Sequence, residues 1–322
     1  MMVSYLFKRL IYAVVLLLAV VALNFFLIHI SPGDPVETIA GSMGGMSEEL
    51  RAQLRQEFGL DEPFIVQLGI YLGRVVQGDL GQSYFFNAPV ASLIWERVPA
   101  TLLLVVVSVL VAFVVGTLLG ALAARKPNGL LSQVVTTLSI VGYSAPVFWT
   151  GIVLIILFAS VIPIFPVSDM RTAGMSDGGL AGVLDVLHHL VLPAFTLAFV
   201  YVAQYSRLAR ASMMEALSAD YIRTARAKGL SETVVLYKHA LRNAVLPVVT
   251  MLGLQFGNVL AGAILVETVF NWPGLGRLAF DSVLRRDYPT MLGILLFASM
   301  LVVVMNQLTD LAYRIVDPRI KA

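Results

Sequence analysis

Residues 101–124 read TLLLVVVSVLVAFVVGTLLGALAA, a run without a single charge. A helix crosses the hydrocarbon core of a bilayer with about 20 apolar residues. Backbone groups in lipid must satisfy one another, so the run is predicted to be a transmembrane helix. The rest of the chain repeats the pattern. Apolar runs at roughly 10–30, 100–124, 134–162, 189–209, 243–266 and 290–313 give six expected spans. They are continuous, unlike the ten-residue alternating segments of a barrel, so the fold class is an all-α integral membrane protein.

Composition agrees. Of 322 residues, 58% are hydrophobic and 13% charged, where soluble domains carry about a quarter charged. A net charge of +2 gives no basic footprint for nucleic acid. With no cysteine, disulfides, thiol nucleophiles and thiolate metal sites are excluded. The first run follows Lys8 and Arg9, exceeds a signal-peptide core in length and ends in Ser31-Pro32-Gly33-Asp34-Pro35. It lacks a small-residue cleavage site and is expected to be retained as a span.

Charge sets the orientation. With the N-terminus inside, the inner segments hold 14 of the 22 basic residues, among them the short Arg125-Lys126 turn. The outer segments hold 8 basic against 15 acidic residues. The positive-inside rule places both termini in the cytoplasm. The chain then divides into 1–30 (tail and first span), 31–99 (an extracytoplasmic cap) and 100–322 (five spans with a cytoplasmic loop at 210–242). In the cap, Ser47 is predicted to start a helix whose first turn carries Glu48 and Glu49, with Gly59 as its stop. A second helix is expected over Phe64–Val76, stopping at Gly78.

Small residues recur every fourth position at Ala112, Gly116, Gly120 and Ala124, and again at Gly253, Gly257 and Ala261. Such stripes let helices approach closely, within the chain or against a partner. Gln255, Asn258 and Gly262 share one face of the fifth span. The two amides either line a polar path or glue helices together. Glu267 follows at the outer end of that span, where an interfacial position is one reading. Asp310 and Arg314 are spaced to pair along the last helix.

Missing motifs narrow the class. The dipeptide Gly-Lys does not occur, so no phosphate loop of the GxxxxGK[ST] type binds ATP. There is no His-Glu-x-x-His, and adjacent His188 and His189 suit an interfacial pair better than a chelate, so no metal site is expected. The spans lack the midplane carboxylate that ion-coupled carriers usually need. That counts against a self-sufficient secondary transporter.

The longest inner segment, 210–242, mixes apolar Leu217, Tyr221, Ile222, Ala225, Leu230, Val234 and Val235 with basic residues. An amphipathic helix is predicted over Ala219–Lys228, stopped by Gly229, with Ser231 capping the next helix and Glu232 in its first turn. Such a protruding pair either docks in a partner's groove or, as in a passive channel or scaffold, rests on anionic lipid.

Asp220-Tyr221-Ile222-Arg223-Thr224-Ala225-Arg226-Ala227-Lys228-Gly229-Leu230, followed by His239-Ala240-Leu241-Arg242-Asn243-Ala244-Val245-Leu246-Pro247, resembles the coupling loop of the dipeptide/oligopeptide/nickel permease family of ABC importers. Further stretches match its B-type permease. They are Arg9-Leu10 with Pro32-Gly33-Asp34-Pro35, Gly78-Asp79-Leu80-Gly81, the run Glu267 to Arg277, Arg286-Asp287-Tyr288-Pro289 and Asp317-Pro318-Arg319. The match spans nearly the whole chain. Where the general importer loop has Glu-Ala-Ala, three residues and Gly, this chain has Arg223, Thr224, Ala225 and then Gly229.

The resemblance implies a type I importer permease fold and no catalytic residues in this chain. It implies a second, similar permease with which one path is lined, and two cytoplasmic ATPases that carry the ATP and Mg. It also implies an extracytoplasmic binding protein that delivers peptide, with glutathione, nickel chelates or other small solutes as alternatives. Asp220, Arg223, Thr224, Ala225, Arg226, Ala227, Lys228 and Gly229 become the expected ATPase-coupling residues. Gln255 and Asn258 become candidates for the path. Glu267, Trp272, Pro273, Gly274 and Asp287 become candidates for an outer gate.

Overall fold

The computed structural model describes residues 2–30, 35–42, 45–58, 61–83, 85–174 and 179–316. Helix α1 covers Met2–Ile30, α2 Pro35–Ser42, α3 Glu48–Phe58 and α4 Phe64–Val76. A short hairpin pairs β1 (Gln82–Ser83) with β2 (Ala88–Pro89) antiparallel. Then follow α5 (Val90–Arg125), α6 (Leu130–Ser144) and α7 (Val147–Ile155), which runs into a π-helical turn at Ile156–Val161. Next come α8 (Gly179–Ser218), α9 (Asp220–Ala227) and α10 (Glu232–Val234), with a second π-helical turn at Val235–Ala240. The chain continues through α11 (Leu241–Leu254), α12 (Phe256–Val269), α13 (Leu275–Arg285) and α14 (Tyr288–Val316).

Among the described residues, three helices are long and apolar enough to cross a membrane: Val90–Arg125, Gly179–Ser218 and Tyr288–Gln307. Two of the expected runs are not single straight helices. The run 134–162 bends by 106° between α6 and the helix beginning at Val147. Pro146 is the cause: it forces the residue before it out of the helical region, and Ala145 is extended at φ −77°, ψ 129°. Counted as one span, the bent pair makes a fourth. The run 243–266 is interrupted at Gln255, between α11 and α12, where Gly253 and Gly257 lower helix propensity on both sides. The first run is helical as expected.

The chain divides into two compact units. One comprises Met1–Pro99 and Leu278–Val304. In it, the Phe25 ring of α1 meets Phe64 and Tyr71 of α4, centroids 5.1 and 5.8 Å apart. Ser47 accepts from the Leu50 amide at 3.3 Å and so caps α3 as expected; Gly59 lies outside the described residues. Gly78 closes α4 in the left-handed region at φ 80°.

The other unit comprises Ala100–Arg277 and Met305–Ala322. Its centre is α8, against which α6, α7, α11 and α12 pack. The glycines of α5 complete that packing. A Cβ on Gly120 would sit 2.4 Å from the Ser206 carbonyl, and one on Gly116 2.6 Å from the Tyr205 Cβ. The first small-residue stripe is therefore a seam within the chain, where backbones touch as GxxxG-type spacing allows. On the opposite side of α5, Val106, Leu110, Val114 and Leu118 point outward, an apolar stripe that only lipid or another membrane helix covers without cost. In the second stripe Ala261 is exposed, while a Cβ on Gly262, beside it, would lie 3.2 Å from Leu197 and 3.7 Å from the Tyr201 hydroxyl of α8.

Candidate coupling, path and gate sites

The 210–242 segment is built on a small apolar cluster. Ile222 and Ala225 of α9 are buried with Val235, Leu236 and Ala240 of the following turn, Met213 and Ala216 of α8, and Ala121 and Ala124 of α5. Helix α9 forms where its pattern predicts, with two buried residues three apart and polar residues around them. Ala225, expected as a coupling residue, is thus a buried support. Exposed on the same element are Asp220, Tyr221, Arg223, Thr224, Arg226, Ala227, Lys228, Gly229 and Leu230. Arg223 reaches only its neighbour Asp220, at 3.4 Å and in full solvent; the Thr224 hydroxyl donates to the Asp220 carbonyl.

Gly229 adopts φ 75°, and a Cβ there would meet nothing within 4 Å. Its role is conformational: it permits the left-handed turn that ends α9, with the Leu230 amide reaching back to the Ala225 carbonyl. Ser231 stands at the start of α10 with an extended backbone, but its hydroxyl makes no capping bond. The side chain engaged here is Glu232. Arg226 donates to it through Nε at 2.9 Å and Nη2 at 3.2 Å, a two-pronged pair across the turn. The Arg226 hydrogen bond holds the Glu232 carboxyl below its ordinary range, and Glu232 in turn pushes the Arg226 guanidinium higher.

Of the two path candidates, Gln255 is buried, and its Nε2 donates to Oε1 of Gln204 on α8 at 2.6 Å. Gln204 was missed because a lone amide in an apolar run carries no spacing signal. The Asn258 side chain lies outside the described residues, as do those of Asp310 and Arg314.

The gate candidates fall into separate places. Glu267 is fully buried rather than interfacial, and so is Trp272. The Thr101 hydroxyl donates to the Glu267 carboxylate at 2.7 Å and accepts from the Leu275 amide at 2.8 Å. The Arg277 amide donates to the same carboxylate at 3.0 Å, and the Gly276 amide joins it. Glu267 and Thr101 between them satisfy the first three free amides of α13, where a negative charge is favoured. Trp272 anchors the turn by donating from Nε1 to the Ala100 carbonyl at 2.9 Å. Gly274 is required by this arrangement, since a Cβ there would lie 2.3 Å from the Glu267 carboxyl carbon. Pro273 sits half-buried in the turn. Thr101 went unseen in the sequence because it is only the first residue of an apolar run, 166 positions from its partner.

Asp287 belongs to the other unit. It accepts from the hydroxyls of Ser83 and Thr290, while a Cβ on Gly81 would lie 3.8 Å from the Pro289 Cβ. Arg285 stacks its guanidinium on Phe85, 3.8 Å from the ring centroid. Two of the motif stretches, Gly78–Gly81 and Arg286–Pro289, therefore meet around the hairpin. His188 and His189 bond to the Ile164 and Asp185 carbonyls, and among the described residues no cluster of three metal-ligating side chains occurs.

Several long apolar helices and an exposed basic helix–turn–helix define a helical membrane protein. The description "binding-protein-dependent transport system inner membrane component" matches residues 116–322, and the N-terminal component of that system matches residues 2–105. The oligopeptide transport system permease protein AppB of Bacillus subtilis (strain 168) is 39% identical over 321 residues, 99% of this chain and 100% of that protein. The dipeptide transport system permease protein DppB of Escherichia coli (strain K12) is 41% identical over 337 residues, 99% of each chain. The inward-facing MetNI methionine ABC transporter shares the fold at a TM-score of 0.55 and 17% identity, covering 70% of this chain and 96% of that one. The chain belongs to the family of binding-protein-dependent transport system inner membrane components, and it is a multi-pass membrane permease of the ABC importer class.

Proposed function

We propose that this permease carries di- or oligopeptides into the cell, delivered by an extracytoplasmic binding protein and driven by ATP hydrolysis on partner subunits. The observation that supports this most is the end-to-end identity of about 40% to permeases named for dipeptide and oligopeptide transport. In this reading a second, homologous permease completes the path. Two ATPases dock on the 210–242 loop and hold the nucleotide and Mg. The termini face the cytoplasm, and residues 31–99 form a cap on the outer side.

The work must come from ATP binding more tightly to one conformation than to the other, since no ligand shifts an equilibrium without differential affinity. Closure of the ATPase pair moves α9 with its buried Ile222 and Ala225, and the shared cluster passes that displacement to α5 and α8. Arg223, Thr224, Ala227 and Lys228 offer the docking face. Gln255, Asn258 and the Gln204 partner are the polar candidates along the path. Glu267, Trp272, Pro273 and Gly274 shape the outer turn, and Asp287 supports the hairpin.

The test is purification of the tagged chain in mild detergent, followed by reconstitution of the recovered complex in liposomes with the binding protein. The reading expects a second permease and two ATPases to accompany the chain, and ATP-dependent uptake of a labelled dipeptide. Uptake of glutathione or a nickel chelate in place of peptide would keep the importer and replace the substrate. Ion-driven uptake by the chain alone would overturn it.

A further inference from the structure

We infer that Arg226 and Glu232 are positioning residues of the coupling element: their fork makes α9 and the segment after Gly229 one rigid block and is not itself a docking contact. This rests on the reading of 210–242 as the ATPase-docking loop.

The element has two anchored arms and a free tip. Ile222 and Ala225 fix the first arm in the apolar cluster, and Val235, Leu236 and Ala240 fix the second. Between them, every residue from Arg226 to Thr233 is exposed. The tip contains Gly229, the residue with the most backbone freedom, in a turn that no side chain braces from outside. Left to itself, such a tip lets the two arms pivot against one another, so a displacement of α9 would reach the cluster through Ile222 and Ala225 alone and would not carry Val235, Leu236 and Ala240 with it.

The fork counters this. Its two parallel bonds fix the angle between the arms as well as their distance, which a single contact does not. Arg125, at the inner end of α5, adds a second favourable charge near Glu232. Arg125 belongs to the same helix whose Ala121 and Ala124 lie under the coupling element. Arg226, with its planar donors aligned on Glu232, is turned inward along the element, whereas Arg223 and Lys228 remain available to a partner. A lysine at 226 keeps the charge but cannot form the fork.

The experiment uses the full reconstituted complex and reads peptide transported per ATP hydrolysed, together with the ATPase recovered per permease. The variants are Arg226→Glu, Glu232→Arg, the double exchange Arg226→Glu/Glu232→Arg, and Arg226→Lys. Each single reversal is expected to lower the transport-to-ATP ratio by up to about fivefold, the factor one surface pair can supply. The double exchange is expected to restore it to within about twofold, and Arg226→Lys to fall between, with ATPase recovery unchanged throughout.

Three results overturn the inference. In the first, the Arg226 variants are defective while Glu232→Arg is normal and the double exchange fails to rescue, so that Arg226 touches the ATPase directly. In the second, all variants keep the wild-type ratio. In the third, the single variants fail to reach the membrane while the double does, which makes the pair a folding element only. Failure of the underlying docking reading looks different: the wild-type chain itself recovers no ATPase.

Discussion

Glu232 and Glu267 each accept from a residue six to ten positions away, yet they work under opposite conditions. Glu232 faces Arg226 in open water on the 210–242 loop, where charges are cheap to hydrate and a pair contributes little. Glu267 is sealed from solvent and has no cation among its hydrogen-bond donors; amides and one hydroxyl satisfy it. A buried carboxylate is tolerable only when fully bonded, and its donors then depend on it equally. The turn around Glu267 is consequently a fixed structural knot, while the Arg226–Glu232 strap is an exposed contact whose loss strands no buried group. Substitutions should separate the two regions by the quantity they disturb: stability at Glu267, coupling at Glu232.

The largest effect is expected from Glu267→Ala. It strands the Gly276 and Arg277 amides and the Thr101 hydroxyl in a dry site, at about 3 kcal/mol or more. Thermal unfolding of the purified chain in detergent reads this as a lowered midpoint; an unchanged midpoint would break the account of the knot. Gly274→Ala comes next, since its Cβ would collide with the Glu267 carboxyl, costing about 1–3 kcal/mol by overpacking. The comparison sharpens in the double variant. With Glu267 already reduced to alanine the collision disappears, so the two losses should be clearly less than additive. Gly120→Val should cost a similar amount for a different reason, because the seam between α5 and α8 has no room for a side chain. Its loss should add fully to that of Glu267→Ala.

These sites also show what a sequence reveals about a membrane protein. Local rules were legible: Ser47 caps α3, Gly78 and Gly229 take left-handed turns, and α9 forms over its amphipathic stretch. Each depends on residues within one or two turns of chain. The break at Pro146 was readable in principle, but a continuous apolar run masked it, because hydropathy counts side chains and ignores the restriction a proline puts on the residue before it. The knot was not readable. Glu267 at the end of a span suits an interface equally well, and the residue that decides its burial is Thr101, far away in the chain. Gln204 opposite Gln255 was hidden in the same way. Polar pairs between helices carry no period, so only the packing of α8 against its neighbours brings them together.

Gly229 gives the intermediate case. Gly229→Val meets no neighbour, so any effect must come from forcing a branched side chain into the left-handed region, about 1–2 kcal/mol. That strain falls on the exposed tip, and the expected readout is a lower transport-to-ATP ratio with the unfolding midpoint nearly unchanged. A midpoint as low as that of Glu267→Ala would erase the distinction between the two regions.

The smallest effect concerns acid. Glu232 has a folded-state pKa below its unfolded value, so the strap's contribution is complete above the ordinary glutamate pKa of about 4.3 and is lost only as pH falls through the lowered folded value. Acidification from neutral to about pH 5 on the side that carries the 210–242 loop should therefore leave the coupling ratio of the wild type unaffected by this pair. Glu232→Gln removes the charge at every pH and should show its reduced ratio across the same range without adding any slope. A ratio that declines in the wild type between neutral and pH 5 and is flat in Glu232→Gln would mean that Glu232 titrates well above the position its Arg226 partner dictates. The fork would then be open in the working transporter.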